Sequence, residues 1–256
     1  MTTSDVREAS EKTPAEMPEM MADPTASPSP SFRRRHLLEA AGPVLAGGTA
    51  ATLLDAHAAV AATDAGAKLK EYFSILATGE ALFVTFYSNA VANHQALGLA
   101  GAELNAVKAI LVEEQIHYDF AVANGGTPAT THFSFPDGAK TFERRALFLR
   151  TQQLSEELTN GALLAWIKDM ASMGQPRLAQ IGGQLMQVEG GHRVVGRVIL
   201  NAEPWDDWAF GPVALDSFLQ VPDAVKAHGF LSPRPGNDFG FHRASTNFPG
   251  VINRRP

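Results

Sequence analysis

The chain contains no cysteine. That absence excludes a disulfide framework, a thiolate-bound metal and a thiol nucleophile, and leaves Glu, Asp and His as the side chains able to hold a hard or borderline cation. A basic face is missing too. The formal charge is −6 at pH 7, and beyond Arg33-Arg34-Arg35 no cluster of Lys and Arg offers the electrostatic footprint that nucleic acid requires. After residue 62 there is no uninterrupted apolar run of membrane-spanning length, so no membrane span is expected in the mature chain. What is present, an Ala-rich make-up with 45% hydrophobic residues, suits a helical domain built on one core.

The amino terminus differs from the rest. Residues 1–30 are rich in Ser, Thr, Pro, Glu and Met, the composition of a disordered leader. Ser31-Phe32-Arg33-Arg34-Arg35-His36-Leu37-Leu38 then leads into an Ala, Gly and Leu stretch from Ala40 to Leu54, followed by the small-residue sites Ala56-His57-Ala58 and Ala59-Val60-Ala61. This looks like a twin-arginine export signal, with Leu37 where Phe is usual. An uncleaved basic anchor is the alternative. Export implies the twin-arginine machinery as a partner, a periplasmic or secreted location, and a mature chain starting near Ala62. The expected organisation is residues 1–61 as leader and signal, 62–202 as a helical domain and 203–256 as a Pro, Gly and aromatic-rich extension.

Within the domain the apolar spacing predicts four helices, over about 65–97, 102–124, 140–172 and 176–200. The extension shows only a short helical stretch near 213–220 and is expected to wrap the domain or to make a homo-oligomer contact. Two Glu-x-x-His quartets, Glu114 to His117 and Glu189 to His192, fall on the second and fourth helices. Positions i and i+3 share a helical face, so each quartet presents one carboxylate and one imidazole to the same place. The first and third helices each carry a single candidate carboxylate, Glu80 and Glu156. Glu80 precedes Glu114 by 34 positions and Glu156 precedes Glu189 by 33, so the chain reads as a duplicated helical hairpin. Glu80 lies within an apolar stripe, where an unpaired carboxylate is costly and calls for a cation, a proton or water nearby. Of the adjacent acids, Glu156 is preferred to Glu157 because its spacing matches the first hairpin better, Glu113 is expected to point outward or to stand behind the ligands, and Glu71 is assigned to the surface.

Glu80, Glu114, His117, Glu156, Glu189 and His192 make up the ligand list of a carboxylate-bridged two-metal site. Through the segments 79–87, 113–120, 154–166 and 188–192 the chain resembles the ferritin-like superfamily, and within it the exported bacterial ferritin-like proteins related to desiccation-associated proteins. The resemblance covers about residues 66–202. It implies an all-α, ferritin-like four-helix bundle with a di-iron or di-manganese site at those six residues, followed here by an irregular C-terminal extension.

A carboxylate-bridged metal pair favours redox work with dioxygen or peroxide. The expected function is an exported di-metal protein, with iron preferred to manganese, that oxidises Fe(II) or disposes of reactive oxygen. Such a protein would be an oxidase, a ferroxidase or a peroxide-consuming oxidoreductase. Di-manganese catalase-like disproportionation of peroxide is the alternative, and a non-catalytic bundle serving in stress or desiccation is a third reading from a different class. Tyr87 and Tyr118, on ligand-bearing faces, are candidates for relaying an electron or standing behind the ligands; as ordinary core tyrosines they would only need hydroxyl partners. His132, His228 and His242 are expected to be structural or exposed. The five glycines of the fourth helix are expected to serve close packing, or, at Gly190-Gly191, to leave room beside the metals.

Overall fold

The computed structural model describes the backbone of residues 52–249 and side chains from residue 65 onward; the leader and the arginine run of the expected export signal lie outside them. The described chain is all-α in character. Four long helices, α1 (Thr52–Ala92), α2 (Gly101–Ala123), α3 (Arg145–Ser172) and α4 (Pro176–Leu200), are followed by a short α5 (Val221–Ala227). The one sheet among the described residues is a two-residue antiparallel pair, β1 (His132–Phe133) with β2 (Phe239–Gly240).

The boundaries of α2 and α4 match expectation to within a residue. Pro176 opens α4, where its missing N–H has no helical partner to lose, and Asn201 closes it in the left-handed region at φ 54°. The other two long helices differ from their expected limits. α1 starts at Thr52, upstream of the expected mature start, and stops at Ala92 rather than near residue 97. Near that end, the Asn89 and Asn93 side chains donate to the carbonyls of Thr85 (2.8 Å) and Asn89 (2.9 Å), the local bonding that makes Asn compete with helix continuation. The expected helix over 140–172 is divided. A 3-10 turn covers Gly138–Phe142, and Arg144 is extended before α3 begins.

By length and mean hydropathy, Ala65–Ala92 is the one helix among the described residues apolar enough to cross a bilayer. Polar residues interrupt it, which is why the sequence shows no unbroken run, and 67% of its most apolar window is buried inside the protein.

α1 packs most extensively on α2 and α3 on α4, and α2 also meets α4. Trp166 of α3 joins the pairs at one end of the core: its ring sits edge-on to Tyr72 and Phe73 of α1 at 6.0 and 5.4 Å, and its indole N–H donates to the Leu178 carbonyl at 3.0 Å. Close approach of α3 and α4 depends on glycine. A methyl group at Gly182 would lie 2.4 Å from Trp166, and one at Gly196 1.9 Å from the Gln152 side chain.

The extension folds back onto the helices. Asp169 of α3 accepts hydrogen bonds from the Tyr72 hydroxyl (2.9 Å), the Ser217 hydroxyl (2.8 Å) and the Phe218 N–H (2.9 Å), anchoring the start of α5. Ser217 and Gln220 form a reciprocal capping box around a 3-10 turn that runs directly into α5, which has Pro222 in its first turn. Further on, Phe239 packs on Phe135 (5.1 Å) and Phe142 (5.2 Å), which also touch Phe86 of α1. The last described stretch reaches α2, where the Ala244 N–H donates to Gln115 at 2.8 Å and Arg243 pairs with Asp119.

Candidate metal centre

All six expected ligands are buried, between 0 and 7% exposed, and they converge in the core from four helices. α1 supplies Glu80, α2 Glu114 and His117, α3 Glu156, and α4 Glu189 and His192. Their atoms form two overlapping groups, each compact enough to hold a metal ion: Glu80, Glu114, His117 and Glu189 in one, and Glu114, Glu156, Glu189 and His192 in the other. Glu114 and Glu189 belong to both. From His117 Nδ1 the distances are 3.0 Å to Glu189 Oε1, 3.7 Å to Glu114 Oε2 and 3.8 Å to Glu80 Oε2. From His192 Nδ1 they are 3.0 Å to Glu189 Oε2, 3.2 Å to Glu114 Oε1 and 4.0 Å to Glu156 Oε1. Both imidazoles turn Nδ1 inward, and the i to i+3 spacing puts each on the same helix face as its preceding Glu.

A metal ion fits the chemistry of these residues. Glu80 Oε2, both oxygens of Glu114, His117 Nδ1, Glu156 Oε2 and Glu189 Oε1 are buried and make no hydrogen bond of acceptable geometry, even where the separation is short. Buried polar atoms ordinarily find partners, and burial of unpaired carboxylates is strongly unfavourable. A cation among them would satisfy these six atoms, and oxygen with imidazole nitrogen suits a first-row divalent ion.

The electrostatics point the same way. Burial, and then repulsion from Glu114 and Glu189, pushes Glu80 and Glu156 well above the usual carboxylate range, against the pull of His117 and His192 respectively. Burial pulls the two histidines down, but their carboxylate neighbours reverse it and hold both well above the usual imidazole value. Glu189 goes the other way. Burial opposes its ionisation, yet His192 and His117 together keep it below the usual carboxylate range. Protons thus occupy, in part, the role that a cation would take.

Around the ligands the structure separates residues that the sequence left close. Glu157 points away, 44% exposed, and accepts from Arg193 Nε at 3.3 Å, so Glu156 is the acid of that pair that enters the cluster. Glu113 is half-buried and takes a hydrogen bond from His192 Nε2 at 2.9 Å. Tyr87, 1% exposed, donates its hydroxyl to Glu156 Oε1, and burial followed by the Glu156 charge raises its pKa well above the ordinary phenol value. Tyr118 instead packs its ring on Phe241 at 4.8 Å and under the Arg243 guanidinium. His132 pairs with Asp238 at 2.8 Å on the surface, His228 and His242 are exposed, and Glu71 is exposed as expected.

Two polar residues behind the site were missed in the sequence. The Gln152 amide donates to the His192 carbonyl and that of Asn160 to the Glu156 carbonyl, both at 2.8 Å. Their signal was available. Gln152, Glu156 and Asn160 stand four apart, one polar row on a buried helix face. Of the glycines of α4, Gly182 and Gly196 serve close packing as expected; Gly191 is exposed and faces open space at the surface, and Gly190 meets only the Asn160 side chain at 3.7 Å. Compared with family models, with curated proteins and with solved structures, the chain finds no match.

Proposed function

We propose that this chain is an exported, ferritin-like four-helix protein that holds two metal ions, iron in the first instance, and that oxidises Fe(II) or consumes dioxygen or peroxide. One observation carries the reading. Two groups of buried ligands share Glu114 and Glu189, and each shared carboxylate turns one oxygen toward each histidine. In this reading Glu114 and Glu189 would serve both metal ions, Glu80 and His117 would complete one position, and Glu156 and His192 would complete the other. Such a metal pair, when bound, supplies two-electron redox chemistry toward dioxygen or peroxide. The chain's own part is to neutralise charge with four carboxylates, to keep bulk water away by burial, and to hold a proton at the Tyr87 hydroxyl beside Glu156 Oε1.

Export by a route that carries folded proteins accords with this reading, because a site closed by all four helices is best loaded where metal supply is controlled. Manganese suits the same donors. The test is the metal content of the untagged, full-length protein from cells supplied with both metals, followed by oxygen uptake with Fe(II) and peroxide consumption. Two iron or manganese atoms per chain with turnover of either oxidant support the proposal, and the metal found selects between ferroxidase-type and catalase-type chemistry. Two metals without turnover leave a stress-related structural protein, and no metal after anaerobic loading overturns the site.

A further inference from the structure

The two halves of the cluster are braced unequally. Glu156 and His192 are tied from outside: Tyr87 donates to Glu156 Oε1 and leaves Oε2 facing the cluster, while Glu113 accepts from His192 Nε2 at 2.9 Å. The Gln152 amide, 2.8 Å from the His192 carbonyl, fixes the backbone behind that ring. Among the described residues, no side chain outside the cluster hydrogen-bonds Glu80 or His117.

This difference has a chemical consequence. A neutral imidazole that donates through Nε2 has its lone pair on Nδ1, so Glu113 selects for His192 the tautomer able to bind a cation from inside the cluster, and it raises the basicity of that nitrogen. Tyr87, by engaging one oxygen of Glu156, presets that carboxylate to bind through the other. On the Glu80 and His117 side no partner from outside the cluster holds the side chains in place or selects the imidazole tautomer, so more ordering accompanies binding of an ion there, a cost that weakens it.

We infer that the two metal positions fill in order, the Glu156/His192 position first and more tightly, with Tyr87 and Glu113 as its positioning residues. The inference rests on the two-metal reading above. Its test is anaerobic calorimetric titration of the full-length apoprotein with Co(II), a redox-quiet probe, alongside the Co(II) visible spectrum at one equivalent. The wild type shows two resolved steps. Tyr87→Phe and Glu113→Ala each weaken the tight step by about 10- to 100-fold and so narrow the gap between the two constants, and Glu113→Gln, which keeps an acceptor, restores part of the loss. His117→Ala removes the weak step and leaves the one-equivalent spectrum unchanged; His192→Ala alters that spectrum and removes the tight step.

Two equal steps, a tight step lost in His117→Ala but kept in His192→Ala, or a gap unmoved by Tyr87→Phe and Glu113→Ala overturns the order of filling. A wild-type chain that binds one Co(II) or none overturns the two-metal reading itself, and the order with it. Thermal melts of each metal-free variant separate loss of binding from loss of fold.

Discussion

Glu114 and Glu189 stand together in the core so that each sends one oxygen toward His117 and the other toward His192. Any change to either residue therefore reaches both groups at once. Glu114→Gln, which keeps the volume and removes the charge, is expected to lower metal content far below that of the wild type, by tenfold or more (on the order of 1.4 kcal/mol per tenfold). Elemental analysis after anaerobic loading checks it.

The neighbouring acids on α3 offer a sharper comparison. Glu156 is wholly buried in the cluster, whereas Glu157 is 44% exposed and bound to Arg193. Glu156→Gln is expected to cut metal content steeply and Glu157→Gln to leave it near wild type. Equal effects of the two substitutions in the same metal analysis would remove Glu156 from the ligand set.

The protons in the cluster set a pH dependence. Glu80, Glu156, His117 and His192 bind protons more tightly in the folded state than in the unfolded chain, so the stability they contribute to the metal-free protein is present at low pH. It is lost as pH rises from about 4.3 for the carboxylates and about 6.5 for the imidazoles through their raised folded values. Glu189, depressed, contributes the opposite slope, and its share is lost only as the solution becomes strongly acid. A metal ion must displace the retained protons, so its affinity rises with pH. The gain in melting temperature on adding metal is expected to grow steadily between about pH 5 and 8, as differential scanning calorimetry with and without metal would record. A constant gain would contradict the proton competition.

α4 should respond to alanine in opposite ways along its length. At Gly182 a methyl group meets the fully buried Trp166 at 2.4 Å, and Gly182→Ala is expected to destabilise the protein by about 1–3 kcal/mol. Gly191 has nothing within 4 Å, and Gly191→Ala is expected to be neutral or to stabilise by up to about 1 kcal/mol through helix propensity. Denaturant unfolding of the two variants decides the matter.

Arg193 directly follows His192 and is itself buried, with Asp207 and Glu157 as ion-pair partners and its guanidinium 3.6 Å over the Trp208 ring. Arg193→Ala is expected to lower the melting temperature and to speed amide exchange over residues 203–209. Arg193→Lys should recover little of either, because an ammonium lacks the planar fork that serves two acids and a ring together.

The four long helices and their inward carboxylates were legible because they depend on local periodicity: Glu80 falls in an apolar stripe, and each quartet repeats the i to i+3 rule. Glu156 could be preferred to Glu157 from spacing alone, since one residue turns a helix by about 100°. What was not legible depends on partners distant in sequence or on elements too short for a period to show. The β1–β2 pair joins residues 132–133 to 239–240, and α5 spans seven residues, marked only by a capping box and a proline. The break before α3 is of the same kind, because Phe142 leaves the helical path to join an aromatic cluster with Phe135 and Phe239. Tyr87 and Tyr118 lie on comparable faces in the sequence and differ in role only through what the third helix and the extension set beside them.

The six ligands divide evenly between the helix pairs, and the division has a temporal meaning. α1 and α2 hold three members of the first group and take Glu189 from α4, while α3 and α4 hold three of the second and take Glu114 from α2. During synthesis neither group is complete until Glu189 has been added, and the second waits for His192, so a half-made protein would offer an ion only part of either group. In the reading proposed above, capture of metal would report that the two halves have docked. An ion bound there would be a late cross-link at the centre of the core, added to the contacts that Trp166, the α2–α4 packing and the returning tail already make between the two hairpins.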